Sequence, residues 1–270
     1  MKKAVLAALG VVVLFCIPVC AQEATDIIRR SVESDATNFE RFKNYTFLER
    51  VEERRYGRNG NLSSKEVQTY EFMVLGGRPY GKLVERDDQA LPAKEARKEQ
   101  EKTEKESAKR QRESASDKAK EEKNRAEERR YLREVPAAFY FTMQGTEHIG
   151  GRPVWVIGAE PRPGYKPKIK RAEMLAKLRG KIWVDQADYQ WVKAEVAVID
   201  PISFGLGLVK LAAGAVLNFE QVRVNDEVWL PSHISVRAEA RLAYLRKLRE
   251  ELDITYRDYQ KFRADSRVVE

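Results

Sequence analysis

Thiols are almost missing from this 270-residue chain: its two cysteines, Cys16 and Cys20, both fall within the first twenty residues. Everything after Ala21 is therefore without disulfides, thiolate metal sites or cysteine nucleophiles. Histidine is as scarce, with two residues. His148 precedes the Gly150-Gly151 turn and His233 follows Pro231-Ser232, and neither has a ligand or carboxylate at a motif spacing, which argues against a histidine metal site or a histidine-based catalytic pair. No Gly-x-Ser-x-Gly, His-Glu-x-x-His or Walker sequence occurs. Gly205 and Gly207 match a dinucleotide loop in glycine count alone, with no third glycine and no βαβ pattern around them. The chain is expected not to be an enzyme and to need no cofactor or metal. Its net charge of +8 falls to +6 without Lys2 and Lys3 and is spread along the chain, which gives no footprint for nucleic acid.

What is present divides into unlike pieces. Residues 1–21 read as a secretory signal peptide: Met1-Lys2-Lys3 is a short positive start, Ala4 to Val19 is an apolar run too short for a comfortable permanent span, and Val19-Cys20-Ala21 puts small residues before the Ala21/Gln22 bond. The mature chain is expected to begin at Gln22 and to work in the periplasm. Acylation of Cys20 is the rival reading, but a lipobox wants Gly, Ala or Ser before the cysteine, and here Val19 follows Pro18.

Asp26 to Phe42 carries Ile27, Ile28, Val32, Ala36, Phe39 and Phe42 at spacings of three and four, the pattern of an amphipathic helix. From Asn44 the period changes to two. Strands are expected around Tyr45–Glu52, Val67–Leu75 and Pro79–Arg86, and again over Phe139–Thr146, Val154–Glu160, Lys181–Asp185, Gln190–Ile199, Asn218–Val224, Trp229–Ala238 and Glu251–Phe262. About ten strands joined mostly by tight turns make an antiparallel meander, and accumulated twist should curl it into an unclosed β-barrel covered by helices. On the strand 190–199, Val192, Ala194, Val196 and Val198 are expected on one face, with Lys193 and Glu195 on the other.

Residues 92–133 break this pattern. Between Lys94 and Arg130 the apolar residues are alanines, and both charge signs interleave without a stripe to bury. The composition favours a long charged helix or helical hairpin inserted between two strands. The barrel would then comprise 22–91 (the N-terminal helix and first strands) and 134–270 (the remaining strands), with 92–133 as the insertion and a surface for an envelope protein partner.

The positive functional signal is apolar. Tyr45, Phe47, Tyr70, Phe72, Phe139, Phe141, Trp155, Trp183, Trp191 and Trp229 fall in strands, several at alternate positions that share a face. A concave sheet so lined suits an apolar ligand, although a strand aromatic is also an ordinary packing residue. Phe204 to Leu217, including Leu206, is glycine-rich and apolar, with Lys210 as its one charge. It reads either as an apolar lip at a cavity mouth in transient contact with a membrane or as a hairpin buried on the barrel. The candidate ligand-contacting residues are Tyr45, Phe47, Tyr70, Phe72, Trp155, Trp183, Val196, Phe204 and Leu206.

Several stretches together carry a resemblance. Asn44-Tyr45-Thr46-Phe47 with Glu49-Arg50, Gly76-Gly77-Arg78-Pro79-Tyr80, Leu83-Val84, Gly180-Lys181-Ile182-Trp183-Val184-Asp185, Val192-Lys193-Ala194-Glu195 and Trp229-Leu230-Pro231 resemble the outer-membrane lipoprotein-sorting (LolA/LolB-like) superfamily of bacterial envelope proteins. The resemblance implies an unclosed antiparallel barrel with helices over its mouth and an apolar cavity for acyl chains. It leads to two expectations: a periplasmic carrier or binding protein for lipid or lipidated protein, or a non-enzymatic envelope sensor or scaffold that uses the charged helix to hold a partner. The insertion 92–133 departs from the carriers and leaves their particular partners in doubt.

Overall fold

The computed structural model describes residues 17–57, 59–204, 209–242 and 246–261. A first helix, α1 (Ile17–Phe42), is followed by strands β1 (Tyr45–Tyr56), β2 (Leu62–Leu75), β3 (Arg78–Arg86) and the two-residue β4 (Gln89–Ala90). Helices α2 (Ala93–Gln111), α3 (Ala115–Arg129) and the short α4 (Val135–Ala138) come next, with a 3-10 turn at Arg130–Glu134. Then follow β5 (Phe139–Ile149), β6 (Arg152–Pro161), a 3-10 helix at Lys170–Lys177, β7 (Leu178–Asp185), β8 (Trp191–Val198), the short β9 (Ile202–Phe204) and β10 (Val209–Leu211), β11 (Val216–Val224), β12 (Val228–Leu242) and β13 (Arg246–Lys261).

Eleven strands form one antiparallel path in the order β4-β3-β2-β1-β13-β12-β11-β8-β7-β6-β5, with β9 and β10 attached beside β12. The expected unclosed, mainly β architecture with helices is present. Its order departs from the chain order at one place, where β1 pairs with β13 along Tyr45↔Lys261 to Tyr56↔Arg249. The first four strands are thus added beyond the last one, and β4 and β5 become the two edges. The charged segment therefore connects opposite edges of the sheet.

Residues directly opposite in an antiparallel ladder share a face. Following partners across the sheet, Phe141, Ala159, Gly180, Val196, Leu217, Val236 and Leu252 stand on one row, and Met143, Ile157, Ile182, Ala194, Phe219, Ile234, Ile254 and Val51 on the next. Both rows belong to the same, inner face. Gly180 sits where this face is tightest: a Cβ there would lie 2.6 Å from the Glu195 carbonyl oxygen.

α1 lies on this face, with Ala24, Ile27 and Ile28 packed among Phe139, Phe141, Ile157, Ile182 and Val184. A polar stripe fixes the same helix to the strand ends. Ser31 accepts from Trp191 Nε1 (2.6 Å), Ser34 donates to the Asp188 carbonyl (2.8 Å) and accepts from Gln190 (2.7 Å), and Arg41 donates to the Glu227 carbonyl (2.7 Å). Asn38 grips the Trp229 backbone at both groups, donating to its carbonyl (2.7 Å) and accepting from its amide (2.8 Å). The β7–β8 turn is itself held by the fully buried Asp185, which accepts from Arg152 (2.6 and 2.8 Å) and from the amides of Ala187 and Asp188. Burial pushes the Asp185 carboxyl up, but these donors more than offset it and hold the group below the ordinary aspartate value.

The insertion forms two helices, broken at Arg112–Ser114 where Ser114 caps α3 by accepting from the Asp117 amide. As the sequence requires, it brings little apolar surface, yet it is docked. Arg86 pairs with Glu95, Lys82 donates to Gln100, and Arg78 pairs with Glu113. Arg110, 12% exposed, donates to the carbonyls of Leu75 and Arg78 beside the Gly76-Gly77 turn. These are polar ties to the β2–β3 edge, short in reach and mostly wet.

Asn38→Ala leaves the buried Trp229 amide and carbonyl unpaired and is expected to cost about 1–3 kcal/mol of stability. Urea unfolding of wild type and variant measures it. A difference near zero would show that α1 is held by its apolar stripe alone.

Candidate functional site

Curvature of the inner face and the helices above it leave three adjoining spaces. The inner chamber, about 370 Å³, has Phe139, Phe141, Ala159, Ile182, Ala194 and Val196 as its floor, and continues to Leu217, Phe219, Gln221 and Ile234. Its roof is Tyr131 and Leu132 from the 3-10 turn Arg130–Glu134, Val135 from α4, Met174 and Leu175 from the 3-10 helix Lys170–Lys177, and Asp35 with Arg129. A side chamber of about 310 Å³ lies between the end of α1 and the N-terminal strands, lined by Phe39, Phe42, Tyr45, Phe47, Phe72, Met73, Val74 and Pro79, with Lys43 and Arg129 at its rim. The third space, about 420 Å³, is a charged vestibule between α1, α3 and the Gly76-Gly77 turn. Arg129 lines all three spaces and Asp35 lines two, the vestibule and the inner chamber.

The side chamber is built on an aromatic stack. Phe47 and Phe72, directly paired across β1 and β2, stack with centroids 5.1 Å apart, and Tyr256 meets Phe47 edge-on at 5.7 Å. Phe42 and Tyr259 close round the same ring at 5.8 and 6.2 Å. A carboxylate stands beside this stack: Glu49, opposite both Tyr70 and Tyr256. Burial raises its pKa, only partly opposed by the hydrogen bond from Tyr256. Tyr256 is raised in turn, by burial first and then by the Glu49 charge, while burial pushes Tyr259 up to about 12. In the inner chamber the buried Gln221 Oε1 has no hydrogen-bond partner among the described residues, an acceptor that a water or a ligand donor would satisfy.

The expected contact residues separate on these coordinates. Phe47, Phe72 and Tyr45 line the side chamber and Val196 the inner one. Tyr45 is anchored at the chamber's end, where its hydroxyl donates to Glu227 (2.6 Å) and accepts from Asn225. Tyr70 is on the same face as Phe72 but reaches Gln68 instead of a chamber. Trp155 packs beneath the inner cluster against Tyr189, 5.3 Å between centroids.

Trp183 departs from expectation. It points to the opposite face, packed with Val154, Val156, Val192 and Trp229, and its Nε1 donates to Glu147 (2.9 Å). Trp183 alternates with Ile182 and Val184 of the inner cluster, whereas the alternation expected for Val192 fails because of a bulge. The β7–β8 register shifts between Trp183↔Lys193 and Val184↔Trp191, so Val192 is the extra residue and joins the outer cluster, while Trp191 takes the inner place. Phe204 ends β9 with its backbone paired to Val209. Leu206 lies outside the described residues.

The sequence reading also missed the roof: Tyr131, Leu132, Val135, Met174 and Leu175. An apolar cluster directly after the charged run, at Tyr131-Leu132 and Val135-Pro136-Ala137-Ala138, was the available signal. The described residues hold no cluster of three metal-ligating side chains and no helix long and apolar enough to cross a membrane.

No family model and no curated protein matches the chain. Solved structures do. They include a putative outer membrane lipoprotein-sorting protein domain from Vibrio parahaemolyticus, 11% identical over 90% of this chain and 95% of that one, with a TM-score of 0.37. A LolA superfamily protein from Nitrosomonas europaea is 13% identical over 89% and 93%, with a TM-score of 0.30. The Pseudomonas aeruginosa MucA/MucB complex contributes a chain 10% identical over 90% and 100%, with a TM-score of 0.25. At these identities and scores the likeness is one of general fold and assigns no activity.

A raised carboxyl pKa means that the folded state holds the Glu49 proton more tightly than the unfolded chain does. The contribution to stability is therefore full below the ordinary glutamate pKa and is lost as pH rises through the higher folded value. Glu49→Gln is expected to raise the thermal midpoint at pH 7, with the gain shrinking towards pH 4. Equal midpoints at pH 7 would show Glu49 to be well solvated.

Proposed function

We propose that this protein is a periplasmic carrier or binding protein for lipid or lipidated protein that holds acyl chains on the inner face of its open sheet. The observation that supports this most is the inner chamber itself: a space of about 370 Å³ on a wide apolar face, roofed by apolar side chains and containing one unpartnered acceptor. Ligand sites of this kind are concave, mostly apolar and furnished with few polar groups. Leu217, 38% exposed on the chamber wall, marks where that apolar surface reaches solvent. Export to the periplasm follows from the N-terminal segment, with Gln22 as first residue of the mature chain.

A non-catalytic role accords with the chemistry. Arg152, Asp185, Asp188 and Arg223 form a charge cluster, and they spend their hydrogen bonds on the β7–β8 turn and on Trp229. His233 pairs with Asp253 on the sheet, away from both chambers. The scaffold reading draws on one feature, the charged helices α2 and α3, which have no apolar residue larger than alanine. A partner held there would be held by ion pairs.

Phe47, 6% exposed within five rings, is a packing residue as well as a chamber wall, so a charge there is expected to unfold the protein. Leu217 separates the two effects. Leu217→Glu is expected to abolish displacement of a fluorescent fatty acid, at least tenfold weaker, with the thermal midpoint almost unchanged, because the half-exposed carboxylate remains hydrated in the empty protein yet is desolvated by a chain. Unaltered binding by the folded variant would remove the inner chamber from the site.

A further inference from the structure

Resting on the carrier reading, we propose that Arg129 is the headgroup-binding residue of this protein and that its ligand is a diacyl phospholipid with an anionic headgroup, one chain in each chamber. Arg129 is the last residue of α3 and lines the inner chamber, the side chamber and the vestibule together. Two apolar spaces that meet at one cation and open into a charged antechamber match the plan of a two-chain lipid with a phosphate at its branch point. A single-chain amphiphile would use half of this arrangement.

The electrostatics favour an anion there. Six cationic side chains line the vestibule against three carboxylates. Of those six, Arg78 and Arg130 pair with Glu113 and Glu127 outside the lining, Lys43 and Arg129 pair with Glu40 and Asp35, and Lys118 and Arg133 have no ion pair among the described residues, which against the unpaired Glu122 leaves a small positive excess. Arg129 is held but not saturated. Its guanidinium lies 4.2 Å from the centre of the Phe39 ring and pairs with Asp35 on the same helix. Five N–H donors in a planar fork leave room for a phosphate beside that carboxylate or in its place. Asp35 is then the internal competitor that occupies Arg129 when no lipid is bound, and the pair borders both the vestibule and the inner chamber.

This gives the charged insertion a purpose that its composition alone does not show. A segment with little apolar surface spans from edge β4 to edge β5 and delivers one arginine to the junction of two apolar spaces.

The test uses fluorescent phosphatidylglycerol, phosphatidylcholine with the same two chains, and single-chain lysophosphatidylglycerol, titrated into the protein. Wild type is expected to bind phosphatidylglycerol about tenfold more tightly than phosphatidylcholine, because both carry the phosphate but the choline ammonium adds a positive charge that the cation-rich vestibule disfavours, and lysophosphatidylglycerol more weakly than its two-chain parent. Arg129→Gln should weaken both diacyl lipids, phosphatidylglycerol the more, and an unchanged affinity for both in the folded variant overturns the role of Arg129. Asp35→Asn should strengthen phosphatidylglycerol binding. If Arg129→Gln fails to fold, the exposed pair Lys118→Gln/Arg133→Gln is expected to weaken phosphatidylglycerol selectively. Equal wild-type affinity for the two diacyl lipids overturns the headgroup assignment while sparing the carrier reading. Equal affinity for the one-chain and two-chain forms overturns the two-chamber assignment, and no binding of any of the three overturns the carrier reading itself.

Discussion

An eleven-strand sheet that curls without closing has one apolar face it cannot bury against itself, and that constraint governs the molecule. Partners run from Phe141 through Ala159, Gly180, Val196 and Leu217 to Leu252 on a single face. In water such a face must be covered. α1 covers part of it with Ile27 and Ile28, and the 3-10 helix and α4 cover more with Leu175 and Val135. The cover is incomplete, and the chambers are what remains.

The cover is positioned by polar contacts. Ser31, Ser34, Asn38 and Arg41, at spacings of three and four, place one side of α1 on the strand ends, and Asp185 fixes the turn that receives Ser34 and Gln190. An apolar helix on an apolar face slides easily, whereas hydrogen bonds to named backbone groups set its register. The same division of labour recurs at the insertion. α2 is tied to the β2–β3 edge by Arg86–Glu95, Arg78–Glu113 and Arg110, and α3 then ends at Arg129, over α1.

Much of this was legible in the sequence, for a physical reason: strand alternation and helical spacing are local signals. The period-two stretches became strands, usually with one to several more residues at the ends, and the residues 26–42 pattern became α1. Two kinds of feature were not legible. The pairing of β1 with β13 joins residues some two hundred positions apart, and no local pattern records it. The β-bulge at Val192 turned Val192 to the outer cluster and Trp191 inward, because one inserted residue reverses the facing of everything before it, whereas Trp183 faces outward by plain alternation between Ile182 and Val184. For the candidate site, Phe47, Phe72 and Val196 were reachable as apolar strand positions, whereas Arg129 was one cation among dozens until the fold placed it against Phe39 and Asp35.

The central claim is that the uncovered face is kept for acyl chains. Organic extraction of protein purified from its cell envelope without detergent, followed by mass spectrometry of the extract, tests this most directly. The account predicts acyl lipid recovered in amounts comparable to the protein and lost from the Leu217→Glu variant. Wild-type protein that yields no acyl material would contradict it.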